Sequence, residues 1–408
     1  MPSLTATTVV ALFGALSGAA LAQQRTTFTA VGQYPGANFS SVRSLSADGG
    51  RAVGTVAGPK TGQRAALWER GAGLSLLNIP EGVLYNSCVD VSADGTTFLG
   101  QHAANGLFRA SLQTGNGEAA DIGLIAAGVG VLPYALSADG RFVVGEAEFP
   151  GTIKGFVWDA ATQDFRALEG FDGKGATAWG VSRDGAVIVG ECTGFSGQVP
   201  VTHSAVWTDG GTVAQSLEGD NFSGMSRALA VSDNGEWIVG TRGDSNGRIA
   251  FRWSQATGFE TLGAIGEDFI SEAVSVSADG SVVVGLTANL QGDRPFIWRD
   301  GHGMTELRHL LRQRNAFPSS WSGLVVYGVS ADGTTVCGFG GHNGLYEGFV
   351  VTIGCFSDYD NNGYLNGIDF DSYVRQFELG TFRADLNADG FVTGEDFDNF
   401  VTGFLEGC

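Results

Sequence analysis

From residue 26 to about residue 354, apolar and polar positions alternate in short runs, and the runs recur. The phrases "SLSADGGRAVG", "DVSADGTTFLG", "ALSADGRFVVG", "GVSRDGAVIVG", "AVSDNGEWIVG", "VSVSADGSVVVG" and "GVSADGTTVCG" place serines at 46, 92, 137, 182, 232, 277 and 330. The unit is therefore about 45 residues, a period that belongs to repeat architectures. Each unit offers four strand-length segments. The first runs into the Ser, Asp-Gly follows, and the second ends in Gly, as in "SVVVG". The third is aromatic: "AALW", "GFVW", "SAVW", "AFRW" and "PFIW" carry Trp68, Trp158, Trp207, Trp253 and Trp298. A fourth follows a polar or glycine turn, as in "DFRAL". Two runs joined by Asp-Gly predict a hairpin with a type I′ turn. Four such strands per unit predict one propeller blade.

The two ends of the array complement each other. The seventh unit stops after its third segment at "EGFVVTIG", while "TTFTAVG" at 26–32 reads as a fourth segment without a partner. If the first strand completes the last unit, both sheet edges disappear. The expected fold is an all-β seven-bladed β-propeller over residues 26–354, with a β-solenoid as the alternative, followed by a small α-helical calcium-loop domain over 355–408.

In that last segment the apolar period changes from 2 to 3.6. Phe370, Tyr373, Val374 and Phe377 fall at i, i+3, i+4 and i+7, and Phe397, Phe400, Val401 and Phe404 repeat them 27 residues later. This predicts two amphipathic helices packed on each other. Each follows a twelve-residue loop rich in oxygen donors, "DYDNNGYLNGID" and "DLNADGFVTGED". Read as calcium loops, the first offers Asp358, Asp360, Asn362, the Tyr364 carbonyl, Asn366 and Asp369. The second offers Asp385, Asn387, Asp389, the Phe391 carbonyl, Thr393 and Asp396. Gly363 and Gly390 fall where such a loop turns sharply around its ion. Hard oxygen donors at alternate positions suit Ca²⁺, so two Ca²⁺ sites are expected.

Composition narrows the function classes. The net charge of −20 excludes a nucleic-acid partner, which needs a basic face. Residues 355–408 alone hold 11 acidic and 2 basic side chains, a net of −9. Glycine, 64 of 408 residues, is read as turn punctuation. The run "VVALFGALSGAALA", ending at Ala22, predicts a signal peptide over 1–22, hence a secreted or cell-surface protein with no membrane span in the mature chain. Of five cysteines, Cys355 and Cys408 bracket the last segment as an expected clasp, and Cys88, Cys192 and Cys337 are expected as buried thiols. Asp48, Asp94, Asp139, Asp184, Asp279 and Asp332 are read as turn residues and not general bases, because the fifth repeat has Asn234 there. The tryptophans are read as core.

With these residues in hand, two resemblances can be stated. The small-aromatic-x-Trp strand alternating with Ser-x-Asp-Gly-x-x-Val-Val-Gly resembles the HAF family of extracellular repeats over residues 26–354, including the insertion "LRHLLRQRNAFPSSWSG". That family implies an exported repeat protein and no chemistry. The duplicated loop-helix unit, closed by Asp at position 12, resembles a type I dockerin. It implies paired Ca²⁺ sites and docking onto a cohesin-like or cell-envelope protein, commonly in polysaccharide-degrading assemblies. Gly367-Ile368 and Gly394-Glu395 stand where dockerins usually carry partner-reading residues.

Two functions are therefore weighed. One is an exported, non-catalytic interaction protein tethered through residues 355–408, with polysaccharide as a further partner. The other is a glycan-active propeller enzyme, a glycosidase or lyase carrying a dockerin. An enzyme needs paired carboxylates outside the turns, and Glu146, Glu148, Glu191 and Asp244 are the candidates, placed after the second strand of their repeats. The five histidines show no metal spacing, and no Gly-x-Ser-x-Gly occurs. The non-catalytic function is favoured.

Overall fold

The computed structural model describes residues 24–406 except 84, 197–198, 209, 219–223, 245–246, 267, 291 and 387–390. The expected signal peptide, Asn387, Asp389, Gly390, Cys408 and the side chain of Asp244 lie outside the described residues. The chain divides into two compact units. One holds Phe28–Arg308 and Pro318–Val351; the other holds the described parts of Met1–Thr27, His309–Phe317 and Thr352–Cys408.

The larger unit is a series of antiparallel meanders in chain order. The first runs Phe39–Leu45, Arg51–Gly58, Gly62–Glu69 and Gly73–Leu76, each strand paired with the next. The pattern starts again at Asn86, Val131, Ala176, Met225, Ile270 and Trp321. The last of these ends in the strand Leu345–Thr352, and Thr27–Ala30 pairs with it to supply the fourth strand. The Val31 amide adds a bond to the Gly348 carbonyl at 2.9 Å. The leftover first segment therefore lies where the sequence puts it, covering what would be an open edge.

The hairpin turn differs from the expected type I′. Of Asp and Gly, only the glycine has positive φ, from 61° at Gly49 to 77° at Gly140. The Gly49 amide bonds back to the Ser46 carbonyl at 2.9 Å, a type I turn followed by a left-handed glycine. The side chains explain the change. Ser46 Oγ donates to Asp48 Oδ1 at 2.7 Å and accepts from the Arg51 amide at 3.0 Å, and the same carboxylate oxygen accepts from the Gly50 amide at 2.8 Å. This local network holds the Asp in ordinary right-handed backbone. Asn234 does the same with Ser232 at 2.6 Å and the Glu236 amide at 3.0 Å. The Ser46 hydroxyl and Gly50 amide keep the Asp48 carboxyl below its ordinary range. These carboxylates are spent inside their own turns.

A second regularity governs the sheet. In the first strand of each meander the register slips by one residue. The residue left over is Arg43, Val89, Tyr134, Trp179, Leu229, Val274 or Tyr327. Such a bulge pushes the first strand toward its neighbour, and the glycine that ends each "VVG" phrase lies opposite. A Cβ on Gly54, Gly145, Gly190, Gly240, Gly285 or Gly338 would stand 1.9–2.0 Å from a carbonyl oxygen of the first strand. The glycines of the second strand therefore mark close backbone approach, not turns.

Trp68, Trp158, Trp207 and Trp298 are buried between meanders with Val, Leu and Ala neighbours, while Trp253 is half-buried. Cys88, Cys192 and Cys337 are free and buried; Cys355 is disulfide-bonded. Burial pushes the Cys192 thiol up to about 12 and raises the other two as well. Only the thiolate reacts. The folded protein should thus resist a disulfide reagent at pH 8, and the three thiols should label once guanidinium unfolds it. Labelling of the native chain would contradict this packing.

Three helices are described: α1 (Leu307–Gln313), α2 (Gly367–Glu378) and α3 (Gly394–Glu406). None is long and apolar enough to cross a membrane. In the smaller unit α2 and α3 meet through the stripes read from the sequence. Tyr373 and Phe400 stack at 4.0 Å, and Phe356, Tyr359, Ala384 and Leu386 complete the buried core.

Candidate metal centre

The first loop is shaped by its own backbone. Asn361 adopts φ of 56°, a left-handed conformation that Asn tolerates. Gly363, at φ of 86°, turns the chain so that its amide donates to Asp358 Oδ2 at 2.7 Å. Asp369 lies in the first turn of α2. Its Oδ2 accepts from the Asn366 amide at 2.9 Å while Asn366 caps the helix by accepting from the Ile368 amide. This reciprocal cap fixes the carboxylate and favours negative charge at the helix start. Asp369 Oδ1 reaches the Asp360 amide at 3.2 Å.

The result is a group of carboxylates turned toward one point. Asp358, Asp360 and Asp369 each offer an oxygen, and these oxygens lie within 4.8 Å of one another. Asp358 and Asp369 are 1% and 0% exposed, and Asp360 is exposed. Burial raises the Asp358 carboxyl above its ordinary range, and the charge on Asp360 adds to this. Burial, then Asp360 and Asp358, raise Asp369 in the same way. Close like charges out of water are costly unless a cation offsets them. Oxygen donors of this kind fit a hard cation and no soft one. Asn362 and Tyr364 flank the group. The Asn362 amide lies against both Asp358 and Asp360 at 3.0 Å, and the Tyr364 carbonyl accepts from Asn366 at 3.2 Å.

The second loop is described only in part. Asp396, fully buried, accepts from the Thr393 amide at 2.8 Å, as Asp369 does from Asn366, and from the Leu386 amide at 2.7 Å. Asp385 is 4% exposed, and Phe391 is exposed. The duplicated helix start is thus present in both halves.

Sequence reading missed what holds the two loops. Arg314, 2% exposed, donates to the Asp358 carbonyl at 3.0 Å and to the Phe356 carbonyl. Gln313 donates to the Asp385 carbonyl, and His309 Nε2 does so at 3.3 Å. Helix α1 and the arginine that follows it, read only as an insertion, therefore grip the first residue of each loop. Asn361 Oδ1 accepts from the Thr26 amide at 2.7 Å, and Arg25 Nε donates to the Asn362 carbonyl at 2.7 Å. Contacts across 42 to 76 residues and across 335 to 337 residues leave no local pattern.

The other candidate acids sit elsewhere than expected. Glu146 and Glu148 lie within the strand Phe142–Phe149, and Glu191 within Val187–Ser196, because these strands run further than their apolar cores. Glu146 accepts from Thr177 Oγ1 at 2.9 Å. Glu191 is paired with Arg227 at 2.8 Å; burial raises its carboxyl, and Arg227 opposes the shift.

No protein-family model matches the chain, and none of the curated proteins does. Solved structures share its fold. An oligogalacturonate lyase from Vibrio parahaemolyticus is 10% identical, with a TM-score of 0.56 over 84% of this chain and 100% of that one. An oligogalacturonate lyase in complex with manganese is 13% identical, with a TM-score of 0.53 over 82% and 98%. TolB from Acinetobacter baumannii is 17% identical with a TM-score of 0.44, and the match spans 63% of either chain. The chain is mostly β and similar to propeller-fold proteins.

Proposed function

We propose that this chain is an exported, non-catalytic binding protein, built from a seven-bladed β-propeller of HAF type and a dockerin-like, Ca²⁺-dependent attachment module. The module docks onto a cohesin-like or cell-envelope protein, in a polysaccharide-degrading or cell-surface assembly. The observation that carries this reading is the convergence of Asp358, Asp360 and Asp369 at the start of α2. In that site Asp358, Asp360, Asn362, Asp369 and the Tyr364 carbonyl would hold one Ca²⁺. Asp385, Asn387, Asp389, Thr393, Asp396 and the Phe391 carbonyl are proposed for a second. Bound calcium would supply the positive charge that lets the carboxylates face one another. The non-catalytic part is supported by the use of the hairpin carboxylates within their turns.

Calorimetric titration of the full chain with Ca²⁺ tests this. Two ions should bind, Asp358→Ala should remove one, and capture of an envelope or scaffold protein should require calcium. A titration without heat or stoichiometry ends the proposal.

The alternative, a glycan-active enzyme, draws on the similarity in fold to two oligogalacturonate lyases. Incubation with pectin and xylan decides between them. Release of reducing ends or unsaturated products, lost in Glu191→Gln, would establish the enzyme.

A further inference from the structure

The larger unit contains a cavity of about 490 Å³ lined by its first strands, within the range of small-molecule sites. The turn ends of those strands are drawn together. Ala47 bonds to Ala93, Ala93 to Ala138 and Ala278 to Ala331 through their backbones, each at 2.9 Å, and Arg183 pairs with Asp233 at 2.7 Å. Small side chains and an ion pair thus crowd one end of the cavity.

The bulge residues that face the cavity do not repeat. Two positions matter most. Tyr327, 37% exposed, stacks on Phe339 at 5.8 Å, and Phe339 meets Tyr346 at 5.9 Å. Tyr346 is 58% exposed. These three rings form a continuous run out of the cavity wall, with Phe39 beside them at 6.1 Å from Phe339. The fold does not need an aromatic there, since the other meanders carry Thr55, Gln101, Glu146, Glu191, Thr241 and Leu286 at the Phe339 position. Beside the run, Arg43 lies 5.5 Å over the Tyr327 ring, in the same lining as Asp90, whose charge it favours without a direct ion pair among the described residues. Glu272 also lines the cavity without one.

We propose that this aromatic run and the cavity it leaves bind the end of a glycan chain. Sugar rings are placed on Tyr327, Phe339 and Tyr346, and hydroxyls are placed toward Arg43 and Glu272. Ring faces carry negative potential and attract the C–H face of a pyranose. Arginine only donates and a carboxylate only accepts, so the two together match hydroxyls, which do both. A purely apolar ligand would desolvate both charges and offer neither a hydrogen bond. Crowding at the turn end admits a chain end and not a threaded chain. The ligand class rests on the glycan context proposed above; the site stands on its own residues.

The test titrates the full chain with cellohexaose, xylohexaose and hexagalacturonate, followed by calorimetry and tryptophan fluorescence, since Trp179 lines the cavity. At least one should bind. Tyr327→Ala and Arg43→Ala should each weaken it about tenfold or more, with the melting temperature unchanged. Neutral hexaoses binding alone identifies a neutral glycan; hexagalacturonate binding alone, lost in Arg43→Ala, identifies an acidic one. If Tyr327→Ala does not fold, Tyr346→Ala at the exposed rim gives the same readout. Silence from all three sugars overturns the proposal, as does binding that neither variant changes. Calcium titration of the same samples reports separately on the attachment module.

Discussion

Removal of calcium should melt the smaller unit while the larger one stays folded. In the first loop three carboxylate oxygens stand within 4.8 Å, two of them on buried residues. Two unit charges about 4 Å apart near a protein surface repel by roughly 4 kcal/mol. Among the described residues the buried core that resists this is Phe356, Tyr359, Tyr373, Ala384, Leu386 and Phe400, with six partly buried side chains packed on it. Segments of this size carry little surplus stability. An ion at about 1,000 times its Kd adds about 4 kcal/mol. For a unit this small that is a shift of about 15–30 °C in the melting temperature. Scanning calorimetry with calcium and with chelator should show one transition that moves by that amount and another that does not. Asp369→Ala should move the transition part of the way to the chelated curve, because it removes a proposed ligand of the first site and the reciprocal half of the helix cap. Limited proteolysis should then cut within 355–406 first. A calcium-independent cleavage pattern would remove the basis for the metal centre.

The clamp residues sharpen this expectation. Arg314 and Gln313 hold loop carbonyls, and Thr26 is held by Asn361 through two hydrogen bonds, at 2.7 and 2.9 Å. A loop that loses its ion therefore releases contacts made by distant segments of the same unit. The transition should be cooperative, with the amides of residues 24–26 and 309–314 gaining hydrogen exchange together with those of α2.

How much of this was legible follows from the range of each interaction. The Ser-x-Asp-Gly phrase is local, so its period, its hairpin and its turn role could be read directly; only the turn type was missed. That miss has a physical cause, because the Ser hydroxyl and Asp carboxylate bind each other and nearby amides, which favours right-handed backbone at the Asp. The acidic cluster of the first loop and the two helices were legible because donor spacing and helix stripe are duplicated within 27 residues. The cavity wall was not. A bulge breaks the period of 2 at one residue, and Arg43, Tyr134, Trp179 and Tyr327 look like noise between small or β-branched neighbours and Pro133. The signal was present in the variability itself, since a position that changes from Arg to Val to Tyr across repeats is not specified by packing. The grip of Arg314 on the first loop was out of reach for a different reason, since nothing in "RQRNAF" indicates which carbonyls it will meet.

The glycine of the second strand supplies the other large effect. Gly145→Ala would place a Cβ 2.0 Å from the Leu132 carbonyl oxygen and 2.9 Å from the Phe156 ring. A backbone oxygen fixed in a ladder cannot step aside without shifting the bulge that carries Tyr134. With a backbone atom as the obstacle, overpacking falls at the upper end of its usual range, about 3 kcal/mol, or about 6–12 °C in the melting temperature of a large unit. Gly190→Ala and Gly240→Ala, each 1.9 Å from a carbonyl oxygen, should behave alike. Gly100 provides the internal control. Its nearest neighbour is Ser111 Oγ at 2.6 Å, with the Ser87 carbonyl oxygen at 3.5 Å, so the obstacle is a side-chain atom and not the ladder. Gly100→Ala should cost less, about 1–2 kcal/mol, and Ser111→Ala in the same chain should recover part of it. Urea titrations of the four single variants would rank them. Equal losses at Gly100 and Gly145, or none at Gly145, would mean that the repeated glycine serves chain flexibility and not the close approach of first and second strands.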